Sequence, residues 1–278
     1  MNKLIILDWG MFIHRAGYAS KNNPSIPVNY TVLNMVLSCL RKIGIDPFDK
    51  IIIACDSRKN WRKDYDKEYK ANRRGLREKS GLDWKTIFAG SDELLEQLGK
   101  GTDWNIISVE TTEADDVASC ACRYFTNKEI ILVSFDSDWE MLWHYDNVKL
   151  FSPLKKYKGV NGSYKVKPQD FNVYKLLSKK IEKETTDNLI NPILNAKDYE
   201  NRKVIVSLIE LPEFIESQII EAFKNLKDKD GDLDLVPYDT LRPKLGNLYN
   251  DTAKIIQYED AVKYEEKKAK RKKVKRRK

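Results

Sequence analysis

Five carboxylates crowd into two short segments of this chain, and both segments adjoin apolar runs. They are Glu113, Asp115, Asp116, Asp136 and Asp138. Like charges held close together repel one another, so a fold normally separates such groups or protonates some of them. Their position beside a predicted core therefore indicates a divalent cation. Oxygen ligands favour Mg²⁺ or Mn²⁺ over zinc, which prefers cysteine and histidine.

A solvated helix N-terminus is the alternative explanation for Glu113 and Asp115, because acidic residues are common in the first turn of a helix. It does not account for Asp8 and Asp56, which follow unrelated apolar runs elsewhere in the chain. The metal site is therefore the stronger interpretation of the acidic residues.

Three strands of the buried type each end at an aspartate, and the three aspartates are Asp8, Asp56 and Asp136. The apolar runs that predict these strands are residues 4–7, 51–55 and 130–133, with further strands at 106–109 and 148–151. Strands that alternate with helices predict a mostly parallel, doubly wound α/β sheet. Ligands of such sheets bind beyond the carboxyl ends of the strands, so the topology should gather these acids at one edge.

The predicted domain organisation is an α/β core followed by a smaller, helical C-terminal lobe. Helical periodicity is present at 11–19, 30–43, 170–182, 199–209 and 212–226, and the glycines within 154–166 indicate a hairpin or loop. The predicted units are residues 1–152 as the core, including an arch region at about 58–100, then 153–227 as the helical lobe, 228–262 as a polar linker with a short helix, and 263–278 as a tail.

A basic segment with interleaved aromatic residues follows Asp56. Residues 58–77 carry nine lysines and arginines together with Trp61, Tyr65 and Tyr69. Cations mixed with aromatic rings suit a phosphate backbone with a base or two stacked beside it. A solvated helix face is the alternative, and the acidic residues within the segment support it in part.

The net charge of +8 is concentrated at the C-terminus. Residues 263–278 hold eleven cations and two anions, so the rest of the chain is close to neutral. The tail lacks the apolar content to fold alone and is expected to be disordered when free. It is expected to bind a polyanion such as nucleic acid, with a merely solubilising tail as the alternative.

The chain has no long apolar run and no signal-peptide pattern, which predicts a soluble, cytoplasmic protein. The four cysteines show no paired framework and are expected to be reduced core thiols. His14 and His144 are expected to be partly buried histidines and not metal ligands.

Several motifs, in order, resemble those of the flap-endonuclease-like 5′-nuclease (5′-3′ exonuclease) family, and the phage members are the nearest match. The matching segments are Leu4-Ile5-Ile6-Leu7-Asp8, Ile53-Ala54-Cys55-Asp56, the run from Trp61 to Arg73, Glu113-Ala114-Asp115-Asp116-Val117 and Asp136-Ser137-Asp138. The resemblance runs from residue 3 to about 190 and implies a PIN-like α/β nuclease core with a helical arch. Residues 199–202 and 211–215 resemble the C-terminal helices of phage members.

The resemblance also implies a set of functional residues and two Mg²⁺ (or Mn²⁺) ions. The first ion would be held by Asp8, Asp56, Glu113, Asp115, Asp116 and Asp136, and the second by Asp138, Glu184 and Asp187. The catalytic residues would be Lys70, Arg73, Asp116 and Asp136, and the nucleic-acid contacts Arg62, Tyr69, Lys70, Arg73 and Arg74.

The next family motif, Gly-Asp-x-x-Asp-Asn, is matched here only by Lys183-Glu184-Thr185-Thr186-Asp187-Asn188. An N-cap formed by Thr185, Thr186 or Asp187 is the alternative for this segment. The glycine-rich helix-hairpin-helix that normally follows, and that grips duplex DNA in the family, is not visible.

The implied function is Mg²⁺-dependent 5′-3′ exonuclease or flap-endonuclease cleavage of DNA, including RNA primers in RNA-DNA hybrids, in replication or repair. A monomer with a replication-protein partner is implied as well. Two alternatives remain open. One is a catalytically weak DNA-binding protein on the same fold. The other is a phosphohydrolase with Asp8 as nucleophile, although such enzymes require a second aspartate two residues later, where this chain has Gly10.

Overall fold

The computed structural model describes residues 2–182, 193, 195–226, 231–248 and 258–275 of the chain. Its strands are β1 Lys3–Asp8, β2 Lys50–Ala54, β3 Asn105–Ile107, β4 Glu129–Val133, β5 Val148–Tyr157 and β6 Val160–Tyr164. Its α-helices are α1 Trp9–Ser20, α2 Val28–Ile43, α3 Asn72–Lys79, α4 Trp84–Gly101, α5 Ala114–Tyr124, α6 Val173–Glu182, α7 Ala196–Val206, α8 Glu213–Lys224, α9 Arg242–Gly246 and α10 Tyr258–Lys275. Short 3₁₀ helices span Trp61–Asp64, Asp138–His144 and Leu233–Leu235.

One sheet in the order β3-β2-β1-β4-β5-β6 forms the centre of the molecule. The first five strands in this order are parallel, and β6 runs antiparallel to β5. Apart from charged residues at their ends, strands β1, β2 and β4 are apolar because helices cover both of their faces. The predicted mostly parallel α/β sheet is confirmed, and the predicted strand at 106–109 is shorter than expected.

Alternate residues of each central strand pack into two separate hydrophobic clusters. Ile5 and Leu7 lie in the cluster with α1, α2 and α4, whereas Leu4 and Ile6 lie in the cluster with α5 and α8. This alternation follows from the two-residue period of a strand. The sheet is thus a rigid central layer from which loops emerge at a fixed edge.

The helices after the sheet do not have a core of their own among the described residues, which corrects the predicted boundary at residue 152. Strand β5 runs through that position to Tyr157. Buried residues of α6 and α8, such as Leu177 and Ile219, belong to the cluster that also contains Leu4 and Ile6 of β1. The predicted hairpin is confirmed, since Lys158 and Gly159 both have positive φ values in the tight turn between β5 and β6.

The described part of the predicted linker also packs into the core. Val236 and Leu241 are fully buried in the cluster that contains α2 and α4. A Cβ on Gly101 would lie 2.5 Å from Val236 Cγ2, so the absence of a side chain there lets the two segments meet. The linker was predicted from the polar run at residues 228–232, whereas the apolar residues that pack into the core follow that run.

The basic tail, predicted to be disordered, is helical over Tyr258–Lys275. The ring of Tyr264 lies 5.1 Å from the ring of Tyr157, and Glu265 Oε1 lies 3.3 Å from Lys155 Nζ. Docking against β5 explains the difference, because the helix gains contacts that its own composition does not reveal.

The four cysteines are buried and unpaired, which confirms their interpretation as core thiols. Across the part of the chain that the structure describes, none of the helices has the length and apolar character needed to cross a membrane.

Candidate metal centre

The carboxyl ends of β1 and β4 lie side by side, and the order of strands reverses between them. Such a point is where open α/β sheets bind their ligands. Asp8 ends β1, where its Oδ1 accepts a hydrogen bond from Met11 N at 3.0 Å and caps α1. Its Oδ2 accepts from Ser134 Oγ at 2.8 Å, just beyond β4. No sequence motif marks Ser134, which ties the two strand ends together.

Asp56 reaches the same edge from β2. Its Oδ1 accepts from Ala114 N at 2.9 Å, at the start of α5. A Cβ on Gly10 would lie 3.3 Å from Asp56 Oδ2 and 3.7 Å from Asp8 Oδ1, so the glycine sits between the two carboxylates. A larger residue at position 10 would push them apart. This role of Gly10 was not predicted from the sequence.

Asp115 and Asp136 complete the group. Asp115 Oδ1 accepts from Trp139 Nε1 at 2.6 Å, and Asp136 Oδ1 accepts from Asp138 N at 2.9 Å. Asp136 N in turn donates to Ser134 Oγ at 3.0 Å. These contacts hold side chains from α5 and from the loop after β4 against the end of β1. We call the side chains of Asp8, Asp56, Asp115 and Asp136 the acidic centre.

The members of the acidic centre raise one another's pKa values. Burial, Asp56 and Asp136 raise the pKa of Asp8 to about 7. Burial, together with neighbouring carboxylates, also raises the pKa of Asp115, Asp136 and Asp56. Because Asp56 is exposed at the rim, water weakens this effect there. A cation among them would relieve the repulsion, so the donor chemistry fits a hard divalent metal ion.

The four carboxylates are not drawn around a single point. Among the described residues, no group of three or more aspartate, glutamate, histidine or cysteine side chains is placed to hold a metal ion together. Mg²⁺ usually keeps several water ligands and binds through one or two carboxylates. An ion held partly through water is therefore the arrangement that these residues fit.

Asp116 is not in the acidic centre. It is 0% exposed, and Arg62 donates to both of its oxygens, Nη2 to Oδ1 at 2.7 Å and Nη1 to Oδ2 at 3.0 Å. Trp61 Nε1 and Glu113 N also donate to Oδ2, at 3.0 and 2.9 Å. With both oxygens occupied, Asp116 holds the start of α5 in place. The predicted role of Asp116 as a metal ligand and catalytic group is therefore not supported by its geometry.

Arg62 and Tyr69, predicted to contact nucleic acid, are interior residues. Arg62 is 1% exposed, its Nε donates to Ile205 O at 2.8 Å, and its guanidinium lies 4.5 Å from the ring of Trp61. Tyr69 is 5% exposed, and its hydroxyl donates to Glu113 Oε2 at 3.0 Å. Neither side chain can reach a ligand at the surface, because α7 and α5 cover them.

Glu113 joins this buried network instead of the acidic centre. Its Oε2 accepts from Arg62 Nη1 at 3.1 Å and its Oε1 from Lys70 Nζ at 2.5 Å. Burial raises the pKa of Glu113, but the positive charges of Lys70 and Arg62 have the larger effect and lower it to about 2. Glu113 is therefore an ionised partner of Arg62 and Lys70. Its predicted role as a metal ligand is not supported by this geometry.

Lys70 lies at the junction between the buried network and the arch. Its φ of +58° places it in the left-handed region, which is unfavourable for a residue with a side chain. Its ammonium is partly exposed, and Glu113 raises its pKa against the effect of burial. Strained backbone of this kind is concentrated at functional sites.

Beyond Lys70, α3 contains no buried residue. Arg73 and Arg74 are exposed on it, and Arg74 Nε donates to Glu78 Oε1 at 3.1 Å. The arch predicted from the basic segment thus divides into an interior half at Trp61, Arg62 and Tyr69 and an exterior half in α3.

Asp138 lies at the start of the 3₁₀ helix Asp138–His144 and forms an ion pair with Lys180 of α6. The sequence analysis did not identify Lys180, because no local motif links it to Asp138. The other two acids predicted for a second metal ion, Glu184 and Asp187, lie outside the described residues.

His14 is half-buried beside the arch, whereas His144 is exposed. The His14 ring lies 4.8 Å from that of Trp84 and 5.8 Å from that of Phe88. Burial, with Arg77 and Arg73 nearby, lowers the pKa of His14 to about 4. The neutral imidazole is therefore the form that the folded protein accommodates.

We expect His14 to make the protein less stable in acid. The unfolded chain takes up a proton near pH 6.5 and the folded protein only near pH 4, so stability is full above about 6.5 and falls between these values. The loss should reach roughly 2–3 kcal/mol. Urea unfolding at pH 7, 6 and 5 should show a flatter profile for His14→Gln than for the native protein. Superimposable profiles would contradict the assignment.

Most of the chain is similar in sequence to known proteins. Residues 3–174 match the family of 5′-3′ exonuclease N-terminal, resolvase-like domains. Ribonuclease H of Enterobacteria phage T4 is 26% identical over 245 residues, which are 80% of this chain and 77% of that protein. The 5′-3′ exonuclease of Buchnera aphidicola subsp. Schizaphis graminum is 27% identical over 180 residues, 60% of this chain and 59% of that protein.

A solved structure of T5 5′-exonuclease with bound divalent metal ions (zinc) superposes with a TM-score of 0.52 at 17% identity. The match covers 92% of this chain and 100% of that one. At this level of identity the likeness shows the fold alone, and the fold is the α/β nuclease type that the motifs predicted.

Proposed function

The chain belongs to the 5′-3′ exonuclease family and is a nuclease, and from this premise we propose that it is a Mg²⁺-dependent, structure-specific 5′-nuclease that hydrolyses phosphodiester bonds of DNA. One observation carries the proposal. Four carboxylates from four separate parts of the chain converge on one edge of the sheet, and each has a raised pKa. A fold tolerates such repulsion where a bound cation offsets it.

The chemistry of a phosphodiester explains why this site suits it. The substrate's negative charge repels an attacking hydroxide, and more negative charge develops in the transition state. A divalent ion supplies a hydroxide at neutral pH and neutralises that charge. The acidic centre would hold the ion, partly through water, since Mg²⁺ usually keeps several water ligands. T5 5′-exonuclease, with bound divalent metal ions, supports such a site in this fold.

The substrates that fit best are DNA 5′ ends and flaps, with RNA in RNA-DNA hybrids as a further substrate. The relatives support both, since one is named a 5′-3′ exonuclease and the other a ribonuclease H. Such substrates arise in replication and repair, and we propose that the enzyme acts there, as a cytoplasmic monomer.

The exposed cations of α3 and α10 are the proposed contacts for the phosphate backbone. Arg73 and Arg74 project from α3, and Lys263, Lys267, Lys268 and Lys270 are partly or fully exposed on α10. Phosphate contacts of this kind position a nucleic acid without reading its sequence. They replace Arg62 and Tyr69, which are too deeply buried for that purpose.

We propose that Lys70 leaves Glu113 on substrate binding and stabilises charge on the scissile phosphate. Lys70→Ala should therefore lower kcat by about a hundredfold, the usual cost of losing one charge-stabilising group in a transition state. The Kd for DNA should change only a few-fold, because many other cations contact the backbone. Single-turnover cleavage and fluorescence anisotropy measure the two quantities.

Lys67→Ala is the matched control for Lys70, because Lys67 is exposed three residues away. It should leave kcat unchanged. An unchanged kcat for Lys70→Ala would remove Lys70 from the chemistry, whereas equal losses in kcat and affinity would make it a binding residue.

The proposed function is tested by cleavage of 5′-labelled single strands, duplexes, flaps and RNA-DNA hybrids. We expect cleavage with Mg²⁺ and none with EDTA, with products released from the 5′ side. Cleavage that persists in EDTA, or no cleavage of any of these substrates with Mg²⁺ or Mn²⁺, would refute the proposal. A trapped aspartyl-phosphate on Asp8 would instead favour a phosphohydrolase.

A further inference from the structure

Phe135 is an exposed aromatic residue at the edge of the sheet that carries the acidic centre. It is 41% exposed, whereas Val133 and Ser134 before it and Trp139 after it are at most 1% exposed. It directly precedes Asp136, and consecutive Cα atoms lie about 3.8 Å apart. The ring is thus attached at the rim of the acidic centre, and its exposure forgoes the stability that its burial would give.

The backbone on both sides of Phe135 is held in place. Ser134 N donates to Phe151 O at 3.2 Å, and Asp136 N donates to Ser134 Oγ at 3.0 Å. Lys165, just after β6, extends its Nζ to Phe135 O at 3.5 Å and to Asp136 O at 3.4 Å. An aromatic side chain on a fixed backbone loses little conformational entropy when it makes a contact, so this ring is prepared for binding.

A nucleobase is the surface that best matches this ring. The acidic centre would hold its ion at the scissile phosphate, so the bases beside that phosphate come close to Phe135. Stacking of a base on an aromatic ring tolerates any sequence, as a nuclease of this kind needs. A protein partner fits less well, because Asp136, Ser137 and Asp138 follow the ring directly, and charged residues are depleted from the core of protein interfaces.

We propose, given the nuclease function proposed above, that Phe135 stacks on a base within two nucleotides of the scissile phosphate and so fixes the position at which the strand is cut. Phe135 is then a specificity-determining residue, and the chemistry remains with the ion and the acidic centre. Only a base with a free face can stack on the ring, so the contact favours terminal or unpaired bases over bases inside a continuous duplex.

A scan with abasic nucleotides tests this inference. Flap substrates would lack one base in turn at each of the two positions on either side of the scissile phosphate. For the native protein, one position should lower kcat/KM about tenfold, the effect of losing one stacked base. Phe135→Ala should lose about tenfold on the intact substrate and nothing more when that same base is absent, because the two changes remove one contact.

The position of the cut is a second measurement. Product lengths should show one main cut for the native protein and cuts at neighbouring phosphates for Phe135→Ala. Phe135→Trp should restore both the rate and the single cut, whereas Phe135→Leu, which is apolar but not flat, should restore neither. Calorimetric binding of Mn²⁺ should be the same for Phe135→Ala as for the native protein. Weaker binding of Mn²⁺ would mean that the ring acts by positioning Asp136, and would overturn the inference.

Phe48→Ala is the matched control, because Phe48 is 73% exposed just before β2, at the opposite edge of the sheet. It should keep the native rate, the native cut and the native response to abasic nucleotides.

The remaining outcomes are distinct. The inference would be overturned if Phe135→Ala cut like the native protein, or if every abasic position cost both proteins equally. In either case the nuclease proposal would stand, since the native protein would still cleave its substrates. If the native protein cleaved none of them with Mg²⁺ or Mn²⁺, the proposed function would fail and the inference with it.

Discussion

Asp136→Asn should abolish Mg²⁺-dependent cleavage while the protein remains folded. Asparagine keeps the oxygen that accepts from Asp138 N, so the loop after β4 should hold its shape. The substitution removes one of the negative charges that attract the metal ion. We expect a loss in kcat/KM of more than about a hundredfold, since even the partners of metal ligands cost tenfold to a hundredfold when they are replaced. Cleavage of a 5′-labelled flap at saturating Mg²⁺ measures the loss.

The stability of Asp136→Asn separates loss of metal from loss of fold. Because ionised Asp136 is disfavoured in the folded protein, its neutral replacement should unfold in EDTA at the same temperature as the native protein or at a higher one. Mg²⁺ should then raise the Tm of the native protein but not that of the variant. Asp146→Asn, at an exposed position before β5, is the control and should retain activity and metal response. Full activity of Asp136→Asn would refute the acidic centre.

Arg62→Met should destabilise the protein by about 3–5 kcal/mol, the cost of leaving a buried charge without its partner. Asp116 has no access to water and would lose its hydrogen bonds from the guanidinium. Glu113 would lose one cation as well, although Lys70 remains. Urea unfolding at neutral pH measures the difference in free energy. The expected effect is on folding, and the affinity of the folded variant for DNA should change little.

Arg58→Met provides the matched comparison, because the Arg58 side chain is 95% exposed and pairs only loosely with Asp92 at 3.4 Å. It should change stability by less than about 1 kcal/mol. An Arg62 variant of native stability that binds DNA weakly would restore the role that the sequence suggested. A large loss of stability confirms the buried network.

The elements that carry the acids could be predicted from sequence because their signals are local. Strands β1, β2 and β4 are short apolar runs buried on both faces, and an aspartate follows each run or the turn after it. The extent of β5, the core position of Val236 and the helix at the C-terminus could not be predicted in this way. Each depends on a partner far away in the chain, such as Tyr157 for Tyr264.

The candidate site was likewise predicted only in part from the sequence. Residue type and spacing identified Asp8, Asp56, Asp115 and Asp136, and these are the acids that the structure brings together. Residue type and spacing did not distinguish these four acids from Glu113 and Asp116, since an acidic residue in the first turn of a helix can face the site or the interior. Only the position of Arg62 decides which it does.

The sequence by itself therefore determined the family, the α/β sheet and the strand ends at which acids accumulate, because all of these follow from short-range patterns. Tertiary structure alone decided which charged side chains are buried and which pairs form. Arg62 is turned inward by Ile205 O of α7, 143 residues further along the chain, and Lys180 meets Asp138 from 42 residues away. A charge has no intrinsic inside or outside. Its role is set by what packs over it, and burial of this kind makes one acid a candidate metal ligand and its neighbour a structural anchor.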